Sequence, residues 1–159
     1  MIIRSASTDD YGAIGDLLVR AYAPSRMAPE APYWAALRDS AGRAVDAEVW
    51  VAEMDGQIVG TVTWAGIGSG QREVSRQGEA EFRMLAVDPP AQGRGVGSAL
   101  VQAVIERSER EAYQAVVLCS AEWMTSAHRL YETCGFHRVP ELDWTPVPGI
   151  NLLGYRLLL

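Results

Sequence analysis

Residues 81–100, "EFRMLAVDPPAQGRGVGSAL", decide how the rest of the chain reads. The first half is a strand-like run stopped by the double proline at 89 and 90, which cannot continue a β ladder. The second half sets Gly93, Gly95 and Gly97 directly before an apolar stripe at helical spacing. A strand, a short Pro/Gly loop and a helix leave backbone N–H groups unpaired at the helix N-terminus. The helix dipole adds about half a positive charge there. Glycines let a ligand approach the backbone closely. Together these features suit phosphate or pyrophosphate, although three glycines alone describe a plain turn equally well.

Two phosphate loops fail on the residues. A P-loop needs Gly-Lys-Ser/Thr, and all 14 basic residues of this chain are arginine, so lysine Schiff-base chemistry is excluded too. A dinucleotide loop needs G-x-G-x-x-G. Counting from Gly93, the third glycine arrives one residue early; counting from Gly95, the sixth position is Leu100.

The 159 residues fit a single domain over 1–159, with 48% apolar and 21% charged residues, as in an ordinary globular protein. A formal net charge of -6 argues against nonspecific nucleic-acid binding, which needs a basic face. Cys119, Cys134, His128 and His137 form no metal-ligand pattern, so no metal is expected. The N-terminal "MIIRSASTDD" lacks a signal-peptide core and no apolar run reaches membrane length. The expectation is a soluble cytoplasmic protein with reduced thiols and no membrane partner.

Outward from the decisive stretch, "IIRSA" reads as a strand and "STDDYGAIGDLLVRAYA" as a helix capped by Ser7 or Thr8. After the proline-rich 24–32, "YWAALRDSAG" fits a short helix. "AEVWVAEMDGQIVGTVTWAG" is a hairpin turning at Asp55-Gly56, and residues 67–78 are a polar loop. "GSALVQAVIERSEREA" is a helix in which Glu106 and Arg110 can pair. "AVVLCSA" is a buried strand, "SAHRLYETCGF" a helix ended by Gly135, "LDWTPVPGI" a connection and "NLLGYRLLL" a last strand. This order argues for one mixed α/β layer structure.

Gln92, Gly95 and Gly97 meet the pattern Q/R-x-x-G-x-G/A, and "AHRLYETCGF" meets A-x-x-x-Y-x-x-x-G-F one helix and one strand later. In this order and spacing the two motifs resemble the GNAT superfamily of N-acetyltransferases. The resemblance covers nearly the whole chain. It implies a mixed, mainly antiparallel sheet flanked by helices, with splayed fourth and fifth strands. It also implies acetyl-CoA as cosubstrate. The cofactor-binding set would be Leu85, Ala86, Val87, Gln92, Gly93, Arg94, Gly95, Val96, Gly97, Ser98 and Tyr131. The pyrophosphate would rest on the N–H groups of 93–98, and the pantetheine arm would pair with the backbone of Leu85 and Val87, as a strand adds to an open edge.

The implied reaction is direct attack of a primary amine on the thioester in a ternary complex. Tyr131 falls on the family's tyrosine position and would protonate the leaving thiolate; a core tyrosine packed beside Ala127 and Leu130 is the alternative. Glu81 is the candidate base, with a strand carboxylate paired to Arg83 as the equal alternative and Glu79 as fallback. The Leu85 N–H is the candidate oxyanion donor. One position departs from the family: Met124 stands where many members carry a cofactor-binding Asn seven residues before the tyrosine. Ser126, beside it, suits a helix N-cap.

The acceptor, a small-molecule or peptide amine, would sit between residues 21–34 and 140–150. Tyr22, Tyr33, Trp34, Trp64 and Trp144, with Glu30, Glu141 and Asp143, are the candidates to hold a cationic amine. Dimers are common in the family, which leaves a homodimer open. A catalytically weak acyl-CoA-binding or regulatory module is the competing reading, and a dinucleotide oxidoreductase a more distant one. The fold does not choose among acceptors.

Overall fold

The computed structural model describes residues 1–25 and 27–159; Arg26, in the loop expected to border the acceptor, lies outside the described residues. Among the described residues, eight strands form one sheet: β1 (Ile2–Ser5), β2 (Glu48–Met54), β3 (Gln57–Ala65), β4 (Glu79–Val87), β5 (Ala115–Ala121), β6 (His137–Arg138), β7 (Trp144–Val147) and β8 (Ile150–Leu158). They run in the order β1-β2-β3-β4-β5-β8-β6, and β7 pairs with β8. The pairing of β4 with β5 is parallel and the other pairings are antiparallel. The expected mixed, mainly antiparallel sheet is present.

Five α-helices among the described residues flank it: α1 (Tyr11–Tyr22), α2 (Tyr33–Arg38), α3 (Ser40–Arg43), α4 (Val96–Arg110) and α5 (Thr125–Thr133). On one face, Ile14, Leu17 and Leu18 of α1 and Leu37 of α2 bury against Val49, Val51, Met84 and Ala86. On the other, Leu100, Val101 and Val104 of α4 and Tyr131 of α5 bury against Trp50, Val62, Phe82 and Leu85. Gly60 of β3 lets α4 lie close, since a Cβ there would stand 2.7 Å from Cγ1 of Val96.

Several sequence expectations change in detail. Ser7 donates its N–H (2.7 Å) and hydroxyl (2.9 Å) to the Asp10 carboxylate, opening a 3-10 turn that leads into α1. Asp39 interrupts the helix expected over 33–42, capping α3 through the Gly42 N–H. In α4, Glu106 accepts from Gln102 at 3.2 Å, the partner one turn back. The segment expected as a connection over 142–150 carries a strand, β7, because the turn at 148–149, with Gly149 at φ +84, folds it back onto β8.

Two irregularities open the sheet. The β3–β4 register passes from Thr61↔Ala86 to Thr63↔Arg83, so Met84 and Leu85 together oppose one residue. Met84 takes φ +51, a left-handed conformation unusual for a non-glycine residue, and forms a β-bulge. Meanwhile β4 and β5 pair through Glu79↔Ala115, Ala80↔Val116 and Glu81↔Val117. Beyond Glu81 the β5-facing edge of β4 has no strand partner among the described residues, which is the splay expected between the fourth and fifth strands.

Candidate active site

The loop after β4 forms a 3-10 turn over Pro89–Ala91 and then passes through Gly93 (φ +76) and Gly95 (φ +79). These left-handed positions turn the chain so that α4 begins at Val96, with Gly95 as its N-cap. A Cβ at either glycine would meet nothing within 4 Å, so the space above the loop is open. At Gly97 a Cβ would meet Cδ2 of Leu130 at 2.9 Å, so the small residue there also lets α5 pack close to α4. Gln92 donates from Nε2 to the Val87 carbonyl at 3.4 Å, tying the loop to the end of β4. Gly93, Arg94, Gly95 and Ser98 are exposed at the surface, whereas Val96 is buried. Asp88, at the root of the loop, is held by Arg20 of α1 at 3.0 Å. The loop thus offers a backbone cradle at the N-terminus of a 15-residue helix, a geometry suited to a pyrophosphate.

Beside the splay lies a cavity of roughly 680 Å³. Its floor is β4 from Glu81 to Leu85 and β5 from Leu118 to Ala121. One wall comes from the α1–α2 connection, through Tyr22, Met27 and Tyr33, and the other from the β7–β8 turn, through Val147 and Ile150. Of the sequence-expected residues, Glu81, Leu85, Tyr131, Tyr22 and Tyr33 are brought together here.

Tyr131 is 4% exposed and packs against Phe82 and Tyr155 with ring centroids 5.9 and 5.7 Å away. Burial pushes its phenol well above the ordinary value, and the neighbouring Ser120 hydroxyl offsets part of that rise. A neutral phenol is the state able to donate a proton. Ser120 also donates toward the Met124 sulfur at 3.8 Å. Met124 is itself the N-cap of α5, so Ser126 is an exposed residue of the first turn and not the cap that its type suggested.

Glu81 is held in a way the strand pattern does not reveal. Its carboxylate is 1% exposed and accepts the backbone N–H groups of Glu73, Val74 and Ser75 at 2.9–3.1 Å. Arg83 forms its ion pair with Glu73 and donates to the Gln71 carbonyl at 3.2 Å. The Arg83–Glu81 pairing weighed from sequence is therefore replaced by contacts to the β3–β4 loop. Burial raises the pKa of Glu73, and the Arg83 charge counters it. Glu79 lies away from the cavity, accepting from the Arg76 N–H at 2.9 Å and pairing with Arg156 at 2.8 Å.

The other expected acceptor residues separate. Trp64 stacks on Trp50 on the α4 face and donates to Ser108 at 3.0 Å. Trp34 donates to the Ala28 carbonyl at 3.0 Å and so braces the α1–α2 connection. Glu30, Glu141 and Trp144 are exposed away from the cavity lining, and Asp143 pairs with Arg138 at 2.8 Å. Sequence reasoning missed Trp123, which lines the cavity and meets Tyr22 edge-on at 6.0 Å. Its place directly after the end of β5 was the available signal. Among the described residues no cluster of three or more His, Cys, Asp or Glu side chains could hold a metal ion. No helix among them is long and apolar enough to cross a membrane.

Residues 12–136 match the acetyltransferase (GNAT) family. N-acetylaspartate synthetase of Danio rerio is 38% identical over 102 residues, 64% of this chain and 34% of that protein. The chain spans about a third of the length of the curated N-acetylaspartate synthetases it matches. A GNAT-family acetyltransferase of Staphylococcus aureus Mu50 superposes with a TM-score of 0.78 at 14% identity, covering 99% of this chain and 98% of that one. A Salmonella typhimurium protein solved with its cofactor acetyl-CoA superposes with a TM-score of 0.68 at 20% identity, covering 99% and 93%. These structures share the fold, and the match over 12–136 carries the assignment: the chain belongs to the GNAT acetyltransferase family.

Proposed function

We propose that residues 1–159 work as one N-acetyltransferase domain, moving an acetyl group from acetyl-CoA to a primary amine in a ternary complex. The observation that carries this is the unpaired edge of β4 beyond Glu81, which joins the glycine loop on one side to the cavity on the other. An extended pantetheine arm fits such an edge by strand addition. The family membership and the acetyl-CoA bound to the Salmonella protein of the same fold support the choice of cosubstrate. A cytoplasmic setting, where acetyl-CoA is made and used, accords with this reading.

The chemistry distributes over few groups. The acceptor ammonium first loses one proton, its nitrogen then forms a C–N bond to the thioester carbonyl carbon, and that nitrogen gives up a second proton to water as the tetrahedral adduct collapses. The Leu85 N–H, next to the bulge, stabilises the oxyanion that develops. As the C–S bond breaks, the Tyr131 hydroxyl gives its proton to the leaving sulfur and regains one from solvent. Glu81 was the expected base, but its lone pairs already accept three N–H groups. We therefore assign the acceptor proton to a water relay past Glu73, with Glu81 fixing the loop that carries Glu73.

Thiol release from acetyl-CoA, followed with and without a panel of primary amines, tests the reading. Amine-dependent release supports it. Tight acetyl-CoA binding without release on any amine overturns it and favours an acyl-CoA-binding module.

A further inference from the structure

Tyr131 gives up its proton from inside the protein. It is 4% exposed, and the rings of Phe82, Tyr155 and Phe136 stand 5.9, 5.7 and 6.2 Å from its own. A phenolate left there is a buried anion, which is costly unless a hydrogen-bond donor reaches it. The transfer therefore needs a group that meets the charge as it forms.

Strand alternation supplies one. In β5, Val116 and Leu118 pack in the same core as Tyr131, and Ser120 is the next residue on that side of the strand. The pattern calls for an apolar residue there, yet a hydroxyl occupies it, 5% exposed and on the lining of the cavity. In the resting site its hydrogen is directed at the Met124 sulfur at 3.8 Å. A thioether is a weak acceptor and a hydroxyl hydrogen turns to suit its partner, so leaving that contact costs little. The phenol of Tyr131 is the other hydrogen-bonding neighbour of Ser120. Burial holds the Tyr131 proton on, with Tyr155 and Cys134 adding to it, and the Ser120 hydroxyl works against them.

We infer that Ser120 is a positioning residue of the acyl transfer, turning its hydroxyl from the Met124 sulfur to the Tyr131 oxygen as that oxygen loses its proton. The O–H bond of Tyr131 breaks as the S–H bond of the thiol forms. Ser120 then passes its proton to the phenolate and takes one from water, into which the acceptor nitrogen has released two. One proton is left over for each acetyl group moved. This rests on the acetyltransferase reading above and deepens it, because it gives a buried phenol its route back to the protonated state.

The test measures thiol release from acetyl-CoA with phenethylamine, aspartate and spermidine, and follows the best of them. Ser120→Ala should lower kcat about 10- to 100-fold, the scale of a hydrogen bond to a charged group. Calorimetric affinity for acetyl-CoA should be unmoved, which also shows that the variant is folded. Ser120→Thr, which keeps the hydroxyl, should restore most of the turnover. In a Tyr131→Phe background Ser120→Ala should cost less than about 2-fold, because the two side chains act as one unit and no phenolate forms there. An unchanged kcat in Ser120→Ala, or an equal loss with and without the Tyr131 hydroxyl, overturns the inference and leaves acetyl transfer standing. Failure of all three amines to release thiol with the wild type overturns both.

Discussion

The Glu81 carboxylate accepts the backbone N–H of Ser75 at 2.9 Å, six residues back along the chain. Together with the N–H groups of Glu73 and Val74, that donor makes a buried anion site, which the Glu81 carboxylate fills. Glu81→Gln keeps the shape and loses the charge. It should cost about 2 kcal/mol in urea unfolding, the scale of hydrogen bonds to a charged group. The same variant should raise KM for the acceptor by loosening Glu73. Its kcat–pH profile should keep its acid limb; disappearance of that limb would make Glu81 the base after all.

Tyr131→Phe removes a hydroxyl and keeps the ring that packs on Phe82 and Tyr155. Turnover should fall by about 10²-fold or more, typical of a lost general acid. Calorimetric affinity for acetyl-CoA should change little. Unchanged turnover would reduce Tyr131 to a packing residue.

His128 sits 5.5 Å from the Tyr155 ring, with Nε2 3.0 Å from the Ala121 carbonyl oxygen. Burial lowers its pKa, and Arg138 adds to that while the Ala121 carbonyl opposes it. The folded state therefore binds this proton less readily than the unfolded chain does. The stability it contributes is present above the ordinary pKa of 6.5 and is lost as pH falls through the lower folded value. Urea midpoints should drop over that window in the wild type, and His128→Gln should flatten that part of the curve.

Cys119 lines the cavity, yet its thiol donates to the Leu142 carbonyl at 3.4 Å and burial pushes its pKa up to about 12. Since the thiolate is the reactive form, only about one part in 10⁴ is ionised at pH 8. Alkylation at pH 8, followed by mass spectrometry, should modify Cys119 far more slowly than an unfolded control. Rapid labelling would show a thiol the packing does not protect.

Much of this architecture was legible. The double proline, the glycine loop and "HRLYETCGF" placed the strand–loop–helix core, the position of Tyr131 and the order of elements. The contacts of Glu81 were not, because its ligands are backbone N–H groups of a loop whose composition says only that it is polar. Trp64 and Tyr22 looked equivalent as aromatics near the acceptor, but strand alternation sends Trp64 to the α4 face. The proline-rich run over 142–150 suggested a connection, yet prolines are tolerated on an edge strand such as β7. Nothing in "EFRMLAV" announces that a methionine will adopt a left-handed backbone.

That methionine acts on the sheet as a frameshift acts on a message. Before it, Ala80 and Phe82 face the α4 layer; after it, Leu85 takes that face while Met84 and Ala86 turn to α1. Even-numbered residues hold one side up to position 82, and odd-numbered residues inherit it from 85. Deleting Met84 would restore regular pairing with β3 and leave Leu85, Ala86 and Val87 on the faces they hold now, but without the bulge at the start of that run. The proposed oxyanion donor, the Leu85 N–H, and the floor of the cavity thus both depend on one residue's backbone, so this strand must keep its bulge whatever the cavity walls become.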